Sequence, residues 1–135
     1  MRKRNIIGSV LLVAYLAAVA YCCLGRFSSV PSVPTSFFGI PTDKIVHFVM
    51  FFPFPILAFL TFDRHTTKPW HSILMASVAF LAGCLIAGGT EIAQSFTDYR
   101  SCDKLDFLSD VLSLALSSVI VLSVDLWKMR GNRKF

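Results

Sequence analysis

Charge is scarce in this chain. Only 16% of its 135 residues are Asp, Glu, Lys or Arg, while 55% are hydrophobic and mean hydropathy is +0.65. A soluble domain carries about 25% charged residues, so an aqueous globule is excluded and a membrane protein is indicated. Several chemical signatures are missing as well. The four cysteines, Cys22, Cys23, Cys84 and Cys102, show neither C-x-x-C nor cysteine–histidine spacing, which removes a zinc knot and a disulfide framework. No serine or cysteine sits in a nucleophile elbow, and there is no glycine-rich phosphate loop. E-x-x-H and H-E-x-x-H are absent, which argues against a di-iron or zinc centre. Repeats and low-complexity tracts are lacking too, and residues 1–135 leave room for one domain.

Long apolar runs are what the chain does have. They extend from Ile6 to about Leu24, from about Ile45 to Phe62, from Ser72 to about Ala93 and from about Leu105 to Trp127. Each approaches the ~20 residues that an α-helix needs to cross about 30 Å of hydrocarbon. The expected fold is all-α, an integral membrane bundle of four transmembrane helices. Between the first two runs, Pro31, Pro34, Gly39 and Pro41 mark an ordered loop or short interfacial segment. The competing reading of the first run is a secretory signal, because Arg2-Lys3-Arg4 and Ala18-x-Ala20 imitate its two ends. An apolar core of 19 residues exceeds the 7–15 of such signals.

The net charge of +5 comes from bases flanking the runs, a placement that orients helices and leaves no basic face for nucleic acid. With the N-terminus inside, nine Lys and Arg face the cytoplasm (Arg2, Lys3, Arg4, Arg64, Lys68, Lys128, Arg130, Arg133, Lys134), against four outside (Arg26, Lys44, Arg100, Lys104). The bias predicts cytoplasmic N and C termini, with Trp70 and Trp127 at the inner boundary.

Under that topology Asp43, Glu91, Asp98, Asp103, Asp106 and Asp110 collect at the outer side, and only Asp63 and Asp125 at the inner. Ionisable groups beside hydrocarbon persist where they pair, bind or react. At 100° per residue, Asp103, Asp106, Asp110, Ser113 and Ser117 fall within an arc of about 80°. Gly83, Ala87, Glu91 and Gln94 share a similar arc on the third helix, where Gly83-x3-Ala87 permits close approach. The two stripes are expected to face each other. Asp43 and His47 lie one turn apart on the second helix, with Asp43 placed to cap its start, while Pro53 and Pro55 should kink it. Glu91, Asp106 and Asp110, with His47, form a candidate acid–base group or a set of hard ligands for Mg2+ or Ca2+. The structural alternative is a helix cap, a satisfied histidine and ion pairs from Glu91 to Arg100 or Lys44.

Asp43-Lys44-x2-His47-Phe48, Glu91-x2-Gln94 with Phe96, and Arg100-x2-Asp103-x2-Asp106 resemble, in order and spacing, the VanZ-like family of small bacterial membrane proteins. The likeness runs from Pro41 to about Ser118. It implies a multi-pass protein of the bacterial cytoplasmic (inner) membrane and a link to antibiotic resistance, since the founding member lowers susceptibility to teicoplanin. It carries the signature onto Asp43, Lys44, His47, Glu91, Gln94, Arg100, Asp103 and Asp106. Asp110, Ser113 and Ser117 depart from it, standing where the family usually has an Asn and two spaced glycines.

Three functions suit this pattern. The leading one is binding or modification of a cell-envelope component at the extracytoplasmic face, such as a lipid-linked wall precursor. Phe37, Phe38, Phe48, Phe96 and Tyr99 would line the way in, Glu91 and Asp106 would act as acid, base or ligand groups, and His47 would relay a proton. Lys44 and Arg100 would hold an anionic headgroup, with Asp43, Gln94, Asp103 and Asp110 as further ligand contacts. The others are a small ion- or proton-coupled transporter and a non-enzymatic scaffold. Membrane lipids are the expected partners.

Overall fold

The structure is a computed structural model that describes residues 3–25, 36–62, 68–98 and 103–131. Its order is α1 (Lys3–Leu24), β1 (Ser36–Phe37), β2 (Ile40–Pro41), α2 (Thr42–Phe51), α3 (Pro53–Phe62), α4 (Pro69–Ser95) and α5 (Lys104–Gly131). Helices α2 and α3 together make one span, so four segments are long and apolar enough to cross a membrane: Asn5–Leu24, Thr42–Phe62, Pro69–Ser95 and Lys104–Gly131.

All four spans start earlier than hydropathy suggests. Lys3 opens α1, Thr42, Asp43 and Lys44 supply the first turn of α2, Pro69 stands in the first turn of α4, and Lys104 opens α5. Hydropathy marks the hydrocarbon, whereas the helices continue into the polar layer. At 1.5 Å per residue α4 and α5 are about 40 Å long, against about 30 Å of hydrocarbon.

The expected disruption falls at Phe52, which separates α2 from α3 while keeping helical dihedrals and its own N–H on the Phe48 carbonyl. Pro53 and Pro55 bring no amide hydrogen, so the carbonyls of Val49 and Phe51 lose their helical donors. Neighbouring helices hold this weakened stretch. The Tyr15 hydroxyl donates to the Met50 carbonyl at 2.7 Å, and the Ser113 hydroxyl donates to the Phe48 carbonyl.

Successive spans alternate in direction. At one end Lys44 and His47 of α2 meet Asp106 and Asp110 of α5, and Gln94 of α4 reaches Cys23 of α1. At the other the Ser72 hydroxyl donates to Asp125 at 2.5 Å, near the exposed Trp70 and Trp127. The core between them is built from Leu12, Val19, Phe51, Phe54, Ala87 and Leu114.

Small residues set the spacing. A Cβ on Gly83 would lie 2.5 Å from Leu114 Cδ2 and 3.1 Å from Phe54 Cδ1; one on Gly8 would lie 3.0 Å from the Leu60 backbone. In lipid, where apolar burial drives little association, close packing of this kind and interhelical hydrogen bonds hold helices together. The two predicted stripes are interior except for Asp103: Gly83, Ala87, Glu91 and Gln94 are buried on α4, and Asp106, Asp110, Ser113 and Ser117 on α5, while Asp103 lies half-exposed just ahead of that helix.

Candidate functional site

The polar site forms where α2, α4 and α5 converge at one end of the bundle. Helices α2 and α5 run parallel, and two hydroxyls fix their register. Ser109 donates to the Lys44 carbonyl at 2.7 Å, and one turn deeper Ser113 donates to that of Phe48. Serines on the outside, such as Ser77 and Ser123, bond back to their own helix instead. The cross-helix pair therefore sets Lys44 and His47 against the acidic face of α5.

Lys44 is the hub of the outer layer. Its ammonium donates to Asp43 Oδ2 at 3.1 Å, to Asp103 Oδ2 at 2.6 Å and to Asp106 Oδ1. An ammonium has three protons, and three carboxylates take them. All three of its donors are thus directed to carboxylates of the chain. Asp43 is not the helix cap either: Pro41 occupies that place without a side-chain hydrogen bond, and Asp43 lies exposed in the first turn. Its negative charge still suits the positive end of α2.

The cap lies on α5. Asp103 Oδ1 accepts the Leu105 N–H at 2.9 Å, and the Asp103 carbonyl accepts that of Asp106 at 3.0 Å. Asp103 thus occupies the N-cap position, which favours a short polar side chain. The neighbouring Lys44 ammonium, followed by the Leu105 amide, holds its carboxyl below the ordinary carboxylate range.

The inner layer centres on His47, which is buried. Its Nδ1 lies 3.1 and 3.3 Å from the two carboxylate oxygens of Asp110, itself fully buried. An ionised Asp110 can only accept, and beside it the imidazole carries its proton on Nδ1 and donates it to the carboxylate. Nε2 then faces Asp106 Oδ2 at 3.8 Å, while Glu91 Oε1 lies 4.0 Å from Nδ1. Glu91 Oε2 accepts the Asp103 N–H at 3.2 Å, tying α4 to the start of α5.

This arrangement suits proton transfer. Asp110 fixes the imidazole tautomer and offsets the charge it would acquire, while Nε2, Asp106 and Glu91 present acceptors to a hydroxyl or amine. A cation is also compatible. His47, Glu91 and Asp106 each offer one ligand atom, all within 4.8 Å of one another; Asp43, Asp103 and Asp106 are as close, but the Lys44 ammonium already pairs with all three. The first trio mixes nitrogen with oxygen, a donor set closer to a transition metal than to the Mg2+ or Ca2+ expected from the carboxylates alone.

Gln94 is drawn elsewhere. Its amide nitrogen donates to the Cys23 carbonyl at 3.0 Å and satisfies the last turn of α1. Arg100, Tyr99 and Cys102 lie outside the described residues. Sequence reasoning passed over Ser109, although it stands three residues after Asp106 on the same side of α5. Tyr15 gave no signal at all, since its partner is a backbone atom of another helix.

Comparison with known proteins adds a family. The family profile described as VanZ/LLP1 matches residues 4–127, nearly the whole chain. No curated protein and no solved structure matches.

Proposed function

The chain belongs to the VanZ/LLP1 family, and from that premise we propose that it binds or modifies a cell-envelope component at the extracytoplasmic face of the bacterial cytoplasmic membrane. The observation that carries this reading is the convergence of His47, Glu91, Asp106 and Asp110 at one end of the bundle. The positive-inside bias supports the side, because Lys68, Lys128 and Arg130 lie towards the opposite end. Both termini are then cytoplasmic.

The electrostatics narrow the ligand. Among the described residues Asp43, Glu91, Asp103, Asp106 and Asp110 surround one lysine and one histidine. Such a site favours hydroxyls, amines or a cation over a bare phosphate. A sugar-bearing headgroup of a lipid-linked wall precursor fits: its hydroxyls would meet Glu91, Asp106 and His47 Nε2, and any anionic part falls to Arg100. Occupancy of such a precursor, or chemistry on it, would alter glycopeptide (teicoplanin) susceptibility.

The test is retention of envelope lipids. The protein, purified with native lipid from a bacterial host, is analysed by mass spectrometry beside Glu91→Gln and Asp106→Asn. The wild type should retain a glycosylated envelope lipid that both variants lose at unchanged helix content. Equal retention by all three removes the cluster from binding.

One observation favours transport as a second reading. Below Asp110 the polar face continues through Ser117 and Ser118, whose buried hydroxyls have no hydrogen-bond partner among the described residues. Proton or cation flux in reconstituted vesicles would support it, and no flux under any gradient would dismiss it.

A further inference from the structure

The connection ahead of α2 sets its sequence against its backbone. β1 and β2 pair antiparallel, Ser36 opposite Pro41 and Phe37 opposite Ile40, which leaves Phe38 and Gly39 as the turn. Both have positive φ, +51° and +79°. That combination belongs to a type I′ turn, whose first central position favours Asn, Asp or Gly. An aromatic L-residue there opposes its own steric preference.

Phe38 is also 101% exposed, and Ile40 beside it is 53% exposed. Facing water, Phe38 would carry two unfavourable terms together, a strained backbone and a hydrated ring. Facing lipid headgroups, the second reverses sign and offsets the first. The location allows this. The span beginning at Thr42 follows β2 directly, so the tip stands four residues from its start. Even fully extended, four residues cover about 13 Å, and the folded hairpin covers less. The headgroup layer adds about 5–7 Å beyond the hydrocarbon on each side; Trp and Tyr concentrate there, and Phe and Leu of interfacial segments bury at its boundary with the acyl chains.

We propose that the hairpin Ser36–Pro41 is an interfacial anchor: the Phe38 ring, with Ile40 beside it, inserts into the headgroup–acyl boundary of the leaflet at the cluster end. The anchor fixes the level of Asp43 and Lys44 at the start of α2. Its partner is the lipid surface, whatever ligand the polar cluster takes.

The test uses the full chain in phospholipid vesicles, with Trp70→Phe, Trp127→Phe and Phe38→Trp, so that position 38 carries the sole indole. Insertion predicts blue-shifted emission that lipids brominated near the headgroup end of the acyl chain quench and aqueous iodide does not. Red-shifted emission quenched by iodide overturns the proposal, and so does emission shielded from both quenchers, which would mean that protein covers the ring. A second variant separates anchor from turn. Phe38→Asn supplies the residue that the turn prefers, so a residue that only shapes the turn should gain in apparent Tm in vesicles. The anchor predicts a lower Tm than wild type, and a higher one refutes it.

Discussion

Replacing Lys44 with Gln should destabilise the bundle mainly through Asp106. The Lys44 and Asp106 side chains are 14% and 12% exposed, whereas Asp103 and Asp43 are 41% and 57% exposed. Breaking a fully buried ion pair costs about 3–5 kcal/mol and breaking a surface pair about 0–1 kcal/mol. The cluster lies at the end of the bundle, where solvent screens part of the attraction, so a loss of about 1–3 kcal/mol is expected. The middle of that range lowers the folded-to-unfolded ratio about 30-fold. Asp106→Asn removes the carboxylate instead. The double variant should be more stable than the sum of the two single losses predicts, by at least about 1 kcal/mol, because neither charge is then left alone. SDS titration of the protein in mixed micelles, followed by helix content, measures all four corners of the cycle. Additive effects, or a Lys44→Gln loss below about 0.5 kcal/mol, would refute the hub.

Gly83→Ala should lower Tm, since crowding Leu114 and Phe54 costs about 1–3 kcal/mol and exceeds the helix-propensity gain of about 1 kcal/mol; a higher Tm would show that the two side chains give way. Asp103 predicts an acid limit. Its carboxyl is held below its ordinary value of 3.8, so its stabilising share is present above that value and is lost as pH falls through the lower folded value. Asp103→Asn should flatten the acid side of the stability profile, and an unchanged slope would count against the cap. Ser113→Ala should cost about 1 kcal/mol, from a lost hydrogen bond to a carbonyl beside the proline break, while Ser123→Ala, on a self-bonded serine, should be nearly neutral.

Much of the fold is legible in the sequence, and the reason is local. Span number follows from apolar length, the break at Phe52 from Pro53 and Pro55, and the buried stripes from helical spacing. Pairing across helices is not local. Whether His47 meets Glu91 or Asp110 depends on the rotation of α2 about its axis, which the Ser109 and Ser113 hydrogen bonds fix. The same rotation delivers Lys44 to three carboxylates. Asp43 suits a helix cap by type, yet the helix begins one residue before it at Thr42, and Asp103 does the capping on α5. The hairpin escaped notice because Phe38 is the wrong residue for its turn.

The central claim is a polar cluster on the extracytoplasmic side, and the most direct measurement is its sidedness. Asp98 is exposed at the cluster end of α4, so Asp98→Cys in a background without the native cysteines offers a handle there. Intact cells, with outer-membrane permeability controlled, are treated with a membrane-impermeant maleimide. Labelling in intact cells is the predicted result. Protection in intact cells with labelling after membrane disruption would put the cluster in the cytoplasm and contradict the account.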